Sequence, residues 1–67
     1  ETTRAMNIRF GQELGHCGED YITALAIVAQ EFGYRRITIG AWHARYRNES
    51  GHDVIGHFGN DHLGFTA

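Results

Sequence analysis

Apolar and polar residues alternate along the first segment of the chain, residues 3–10. One face of this alternation carries Arg4, Met6, Ile8 and Phe10. A period of two residues is typical of a strand that buries one face, so the segment predicts a half-buried β-strand. Residues 11–18 follow with three glycines, and this composition predicts an irregular loop.

Residues 19–32 carry the clearest helical pattern. The apolar positions with a spacing near 3.6 residues are Tyr21, Leu25, Val28 and Phe32. Glu19 and Asp20 would lie in the first turn, where the positive end of the helix dipole favours carboxylates. Gly33 fits the left-handed position just past the helix end.

Residues 34–47 have the composition of an extended strand. Fully extended, they would span about 46 Å, which is long for a domain whose radius of gyration should be ~11 Å. In a regular pleat the apolar residues change face near Gly40, with Ile37 and Ile39 before it and Trp42, Ala44 and Tyr46 after it. We therefore expect a β-bulge or sharp bend between residues 39 and 42. A positive φ at Gly40 would make Gly40→Ala costly.

The remaining segments predict a turn at residues 48–51 and two short strands at residues 54–58 and 63–66, separated by a turn at residues 59–61. The predicted fold class is α+β, with one helix packed on a three- to four-stranded, mainly antiparallel sheet. The element order is β-α-β-β with a short further element, in a single domain over residues 1–67. An intertwined dimer that shares strands is the alternative.

Composition limits the class of protein. A length of 67 residues fits one small domain, and a single cysteine excludes an internal disulfide framework. The longest nearly apolar run, residues 24–29, is far shorter than the ~20 residues that cross a bilayer, and no signal-peptide pattern is visible. We expect a cytoplasmic chain without membrane contact. Because a domain this short buries only ~60% of its unfolded surface, association with a partner is also expected.

Charge is sorted along the chain. Residues 34–47 carry a net charge of +4 and no acidic residue, whereas the rest of the chain carries −6. With a bulge near Gly40, one face of the strand would present arginines and a histidine to solvent, with aromatic residues available for stacking. The predicted partner-binding residues are Arg36, Trp42, His43, Arg45, Tyr46 and Arg47.

Two other interpretations of this basic stripe stay open. The arginines could form an ordinary solvated face that pairs with acidic residues elsewhere, or they could contact nucleic-acid phosphates. The overall net charge of −2 counts against non-specific nucleic-acid binding, which depends on phosphate neutralisation.

The predicted helix is apolar nearly all round, because Ile27 lies on its polar side. One sheet covers only one face of a helix, so a second surface is needed. We expect a two-fold homodimer in which Ile27 contributes to self-association. The alternative is that Ile27 is a single exposed apolar residue, which is ordinary on protein surfaces.

Candidate chemistry is weak. Potential metal ligands cluster within residues 52–62, and they are His52, Asp53, His57, Asp61 and His62. Their spacing matches no compact zinc motif, since His52 and His57 would face opposite sides of a strand. The glycines of residues 11–18 do not match a phosphate-binding loop. Cys17 lies beside His16 near the predicted helix start, but the neighbouring carboxylates disfavour a thiolate. We expect no catalytic residue, metal or cofactor.

The sequence therefore predicts a small non-enzymatic binding module, of inhibitor or accessory type. It would dock on a macromolecule, a protein in the first instance, through an arginine and aromatic sheet face or a long hairpin. A nucleic-acid-binding protein with a basic β-ribbon is the first alternative. A metal- or cysteine-dependent enzyme is the second.

Overall fold

Two helices precede a four-stranded sheet in the computed structural model, which describes residues 2–18, 20–59 and 61–67. The elements are α1 (Thr2–Cys17), α2 (Tyr21–Glu31), β1 (Tyr34–Ile39), β2 (His43–Asn48), β3 (Asp53–Phe58) and β4 (Leu63–Thr66). The strands are antiparallel and lie in the order β1-β2-β3-β4, with both helices packed on the sheet. The predicted α+β class, with a helix on an antiparallel sheet, is confirmed.

The first element is a helix, so the prediction of a strand at residues 3–10 is wrong. Met6 and Phe10 are both buried, and a spacing of four residues places side chains on one face in a helix and in a strand alike. Ile8 separates the two possibilities, because its side chain is 60% exposed on the opposite side of the helix. Two buried residues four apart therefore gave the appearance of strand alternation.

The predicted loop over residues 11–18 is also wrong, because α1 continues to Cys17. A Cβ added at Gly11 or Gly15 would have no atom within 4 Å, so these glycines face open space and lower only the helix propensity. Gly18 follows the helix with a φ of +65° and its N–H donates to the carbonyl of Leu14. The chain breaks at Gly18 rather than throughout the glycine-containing segment.

The one helix that the sequence predicts, over residues 19–32, is present as α2 with the shorter bounds Tyr21–Glu31. Asp20 is its N-cap rather than a first-turn residue, because its carboxylate accepts hydrogen bonds from the N–H (3.2 Å) and the hydroxyl (2.8 Å) of Thr23. Glu19 lies outside the described residues. Gly33 has a φ of +86°, as expected for a left-handed residue just past a helix end.

Residues 34–47 form a hairpin, in which the chain reverses between β1 and β2. The expected sharp bend at Gly40 is thus a complete turn, and it keeps the longest dimension of the molecule to 31 Å. The register shift lies between Arg36 and Thr38, not at Gly40. Gly40 has no positive φ, and an added Cβ would lie 3.4 Å from Cε1 of His43, so the condition for a costly Gly40→Ala substitution is not met.

The later elements follow the prediction closely. Gly51 has a φ of +85° in the turn between β2 and β3, where Asn48 Oδ1 accepts a hydrogen bond from the N–H of His52 (2.9 Å). Strands β3 and β4 occupy the two predicted segments. Asn60, in the turn between them, lies outside the described residues.

The core lies between the helices and one face of the sheet, which we call the inner face. Its buried apolar residues are Met6, Phe10, Ala24, Leu25, Val28, Ala29, Tyr34, Ala44, Tyr46, Val54 and Phe65. At its centre the ring of Tyr46 lies against Gly56, where an added Cβ would be only 2.9 Å from Cε1 of the tyrosine. The same ring meets Phe65 edge-on, at a centroid distance of 6.0 Å. Gly56 therefore leaves the space through which Tyr46 reaches β4.

Helix α1 closes the β4 edge of the sheet through one side chain. The Nδ2 of Asn7 donates to the carbonyl of Phe65 (3.0 Å), and the N–H of Phe65 donates to Oδ1 of Asn7 (2.6 Å). An amide side chain thus satisfies both backbone groups that a further strand would have paired. Arg9 joins the two helices, with 2.8 Å to Glu13 and 3.0 Å to Glu31.

Gly56→Ala should destabilise the fold by about 1–3 kcal/mol, because the new methyl overpacks the contact with Tyr46 and Leu25. The matched control is Gly11→Ala, which should raise stability by about 0.5–1 kcal/mol by removing a helix glycine with open space around it. Urea unfolding of both variants measures the difference. Equal stability of the two variants would contradict this packing.

Asn7→Ala should lower stability by about 1–2 kcal/mol, because the N–H and carbonyl of Phe65 lose their partners at a partly buried edge. Gln12→Ala, at an exposed position of the same helix, is the control and should change stability by less than about 0.5 kcal/mol. Thermal unfolding compares the two. A loss at Asn7 no greater than at Gln12 would show that the amide does not hold the edge.

Candidate interaction surface

The face of the sheet opposite the helices, which we call the outer face, is set by the strand register. Residues paired across strands point to the same side, so the pairs that do not join the core define this face. Its members are Arg35, Thr38, His43, Arg45, Arg47, Asp53, Ile55, His57 and Thr66. Alternation within β2 is strict, with Ala44 and Tyr46 buried and the residues between them exposed. The outer face is therefore an open and mostly polar surface.

An ion-pair cluster occupies the middle of the outer face. Arg47 holds Asp53 with two hydrogen bonds, from Nε (2.7 Å) and Nη2 (3.1 Å), while Nη1 of Arg45 lies 3.6 Å from the same carboxylate. The hydrogen bond from Arg47 is the main reason that the pKa of Asp53 is lowered. About half of each arginine side chain stays exposed, 49% for Arg45 and 50% for Arg47. One carboxylate thus serves two arginines, and the cluster keeps a positive charge.

Two predicted partner-binding residues do not lie on this surface. Arg36 pairs across the hairpin with Tyr46, so both belong to the inner face. Tyr46 is 1% exposed and packs in the core, so the prediction that it stacks on a partner is wrong. The prediction that Arg36 shares a face with the other arginines is wrong because its pairing with Tyr46 places it on the inner face. Of the predicted set, His43, Arg45 and Arg47 lie together on the outer face.

Trp42 lies at the end of the hairpin, beside the outer face. Its side chain is 61% exposed, although its carbonyl is fixed by the N–H of Phe58 (2.9 Å). A cavity of about 380 Å³ opens beside the indole and is lined by Trp42, His57, Gly59, Asp61 and His62. Ile39, the last residue of β1, is 52% exposed, but its pairing with Ala44 places it on the inner face. The hairpin end is thus an apolar surface next to a basic one.

Three imidazoles form a row from the outer face to this cavity. His43 and His57 are paired across β2 and β3 with centroids 6.3 Å apart, and His57 and His62 are 4.3 Å apart. His57 Nε2 also lies 3.1 Å from Oγ1 of Thr66. Burial, then the charges of His62 and His43, lower the pKa of His57. At neutral pH the row therefore has an uncharged centre.

The sequence indicated only two of the three histidines in this row. The cluster proposed from residues 52–62 brings His57 and His62 together, but His52 lies in the turn at the other end of β3. His43 joins them through strand pairing, which its distance in sequence does not indicate. Within the described residues, no group of three or more His, Cys, Asp or Glu side chains is placed to hold a metal ion.

The other sequence candidates find a different setting. The glycine-containing segment before α2 is part of α1, so it forms no loop around a ligand. The side chain of Cys17 lies outside the described residues. Ile27 is half-buried, and α1 supplies the second surface over α2 that the sequence interpretation lacked. A second copy of the chain is therefore not needed to cover α2. The homodimer through Ile27 stays a prediction.

Across the described part of the chain, no helix is long and apolar enough to cross a membrane. No known protein family, no curated protein and no solved structure matches the chain. The function is therefore inferred from the geometry of the surface.

Acidification should destabilise the protein through the histidine row. His57 has a lowered pKa in the folded state, so the unfolded chain, with its ordinary value of 6.5, binds the proton more readily. Stability is therefore complete above about pH 7 and falls as the pH drops through and below 6.5. Asp53 does not contribute in this window, because its stabilisation is lost only at and below its ordinary pKa of 3.8.

The measurement is the thermal midpoint between about pH 7.5 and pH 5.5. His57→Gln should flatten this dependence, whereas the control His52→Gln, in the turn away from the row, should keep it. An unchanged slope in the His57→Gln variant would assign the acid sensitivity to other groups.

Proposed function

We propose that this chain is a non-enzymatic binding module, of inhibitor or accessory type, that docks on a protein through the outer face and the hairpin end. The observation that carries the proposal is the asymmetry of the sheet. Its inner face is filled by a core, whereas its outer face presents half-exposed arginines beside an exposed tryptophan. An open face of this kind favours docking over catalysis, which needs a water-excluding cleft.

The charge of the outer face indicates an acidic partner surface. Arg35, Arg45 and Arg47 share this face with a single carboxylate, Asp53, so the strands present a net positive charge. Nη1 of Arg45 lies 3.6 Å from that carboxylate, which is too far for a hydrogen bond. Arg47, in contrast, donates two hydrogen bonds to it. Arg45 is thus the residue with more donors available for a partner carboxylate.

The hairpin end would supply the apolar anchor. Tryptophan and arginine are the side chains most enriched among residues that dominate binding energy at protein interfaces. Trp42 combines high exposure with a backbone fixed by Phe58, so its ordering costs little entropy on binding. An acidic patch next to an apolar recess is therefore the partner surface that fits.

A protein partner is favoured over a nucleic acid by the charge of the whole chain. The whole chain carries a net charge of −2, which opposes the long-range attraction that nucleic-acid binding needs. Nucleic acid remains the second candidate, since Trp42 can stack on a base.

Replacing Arg45 and Arg47 together by glutamine should weaken partner binding at least about tenfold, because charge-assisted hydrogen bonds are lost. Trp42→Ala should weaken it by a similar factor, because its contact area is removed. The measurement is retention of proteins from an extract of the source cells on the immobilised chain, with and without nuclease, followed by affinity measurement on the retained protein.

Arg4→Gln, at an exposed position of α1, is the matched control and should retain the partner. Thermal unfolding of each variant separates loss of binding from loss of fold. A protein retained equally by the double variant would remove the outer face as the docking surface. Retention that disappears with nuclease would assign the surface to nucleic acid instead.

A further inference from the structure

A second cavity, of about 360 Å³, lies on the inner side of the hairpin, next to α2. It is lined by Ala26, Gln30, Tyr34, Arg35, Arg36 and Tyr46. This volume is within the range of small-molecule sites, for which ~300–1,000 Å³ is typical. The lining contains the guanidinium of Arg36, an amide and two phenols, and no acidic side chain; Arg35 also borders the cavity, but its pairing with Arg47 places its side chain on the outer face. Its chemistry is that of an anion site rather than a cation site.

Arg36 faces this cavity without a counter-ion. Arg9, Arg45 and Arg47 each lie within 4.0 Å of a carboxylate, but no such pair involves Arg36 in the described part of the chain. Its backbone position opposite Tyr46 places it on the helix side of the sheet, away from the proposed docking surface. Its five donors are therefore not used by an ion pair among the described residues.

Tyr46 supplies the second anomaly. Its hydroxyl is buried, and it has no hydrogen-bond partner among the described residues. A buried polar group without a partner is rare in a native protein and is destabilising. Burial raises the pKa of this phenol, so it remains an O–H donor at neutral pH, and the charge of Arg36 acts on it in the opposite direction. The geometric link between the two residues is the cavity itself, which both of them line.

We propose that this cavity binds a small molecule that carries a phosphate group, held by the guanidinium of Arg36 and the hydroxyl of Tyr46. The planar fork of Arg36 would donate to two phosphate oxygens, and Tyr46 would donate to a third. The hydroxyl is buried in the free protein, so binding requires the side chains around it to open far enough for a phosphate oxygen to reach it. The amide of Gln30 is a further donor at the rim.

The C-terminal end of α2 opposes an anion here, but only weakly. A helix C-terminus carries roughly half of a negative charge, whereas the guanidinium of Arg36 carries a full positive charge. The last carbonyls of α2 are also occupied, because the N–H groups of Phe32 and Gly33 donate to them. A phosphate dianion gains more from this setting than a carboxylate, which has one charge and two oxygens. Phosphate is therefore the favoured anion.

Calorimetric titration with phenyl phosphate, inorganic phosphate and benzoate tests the proposal. Phenyl phosphate should bind the wild-type chain, and benzoate should bind more weakly. Arg36→Gln should weaken phenyl phosphate binding at least about tenfold, while the control Arg4→Gln, at an exposed position of α1, should leave it unchanged. Tyr46→Phe should also weaken binding, yet it should raise the thermal midpoint of the free protein by about 4 °C or more, because the unpartnered hydroxyl is removed.

This opposite movement of binding and stability distinguishes a site residue from a merely structural tyrosine. Absence of binding at millimolar phenyl phosphate, or equal weakening by Arg36→Gln and Arg4→Gln, would overturn the proposal. So would a Tyr46→Phe variant that binds as well as the wild type. Tighter binding of benzoate would replace the phosphate by a carboxylate and overturn the assignment of the anion.

Discussion

The contact between Tyr46 and Gly56 determines which face of the sheet is buried. The tyrosine ring crosses the gap left by the glycine, meets Phe65 on the far strand and lies under Leu25 of α2. Because the side chains of a strand alternate, burying Tyr46 and Ala44 exposes Arg45 and Arg47 on the other side. The basic character of the outer face thus follows from the packing of the core, and a shift of one residue in β2 would exchange the two.

The two edges of the sheet are protected differently. A single amide, that of Asn7, satisfies the backbone of β4 at Phe65, so α1 both covers the core and closes that edge. The β1 edge has a register shift beside Ile37, a feature that disrupts regular pairing with another strand. With one edge closed and the other irregular, the outer face and the hairpin end are the extended surfaces that the fold leaves for a partner.

Sequence patterns predicted the elements whose signals are local. The glycine after α2, the turn containing Gly51 and the strand alternation around Tyr46 each depend on nearby residues, and the structure contains all three. Residues 3–10 misled because Met6 and Phe10 are compatible with both periodicities, and only the exposure of Ile8 decides between them. The sequence offers no local sign of that exposure, which depends on where α2 and β4 lie.

For the candidate site, too, the sequence predicted the features that depend on one strand but not those that depend on pairing between strands. Exposure of Arg45 and Arg47 follows from alternation within one strand, whereas the position of Arg36 depends on the pairing between two strands. Sequence reasoning treated the segment as one bent strand and therefore placed Arg36 with the others. The same limit applies to the row of His43, His57 and His62, which strand pairing assembles from three separate segments. Contacts across strands were the information that the pattern lacked.

The central claim is that the sheet has one face sealed by the helices and one face open for a partner. Paramagnetic relaxation by a soluble gadolinium chelate measures this directly, residue by residue, on the isotope-labelled protein. The account predicts strong relaxation of the side-chain protons of Arg45 and Arg47 and weak relaxation of Ala44 and Tyr46, at every protein concentration. Equal protection of both sets would contradict it, because the outer face would then be covered, by a second copy of the chain or by a different arrangement of the helices.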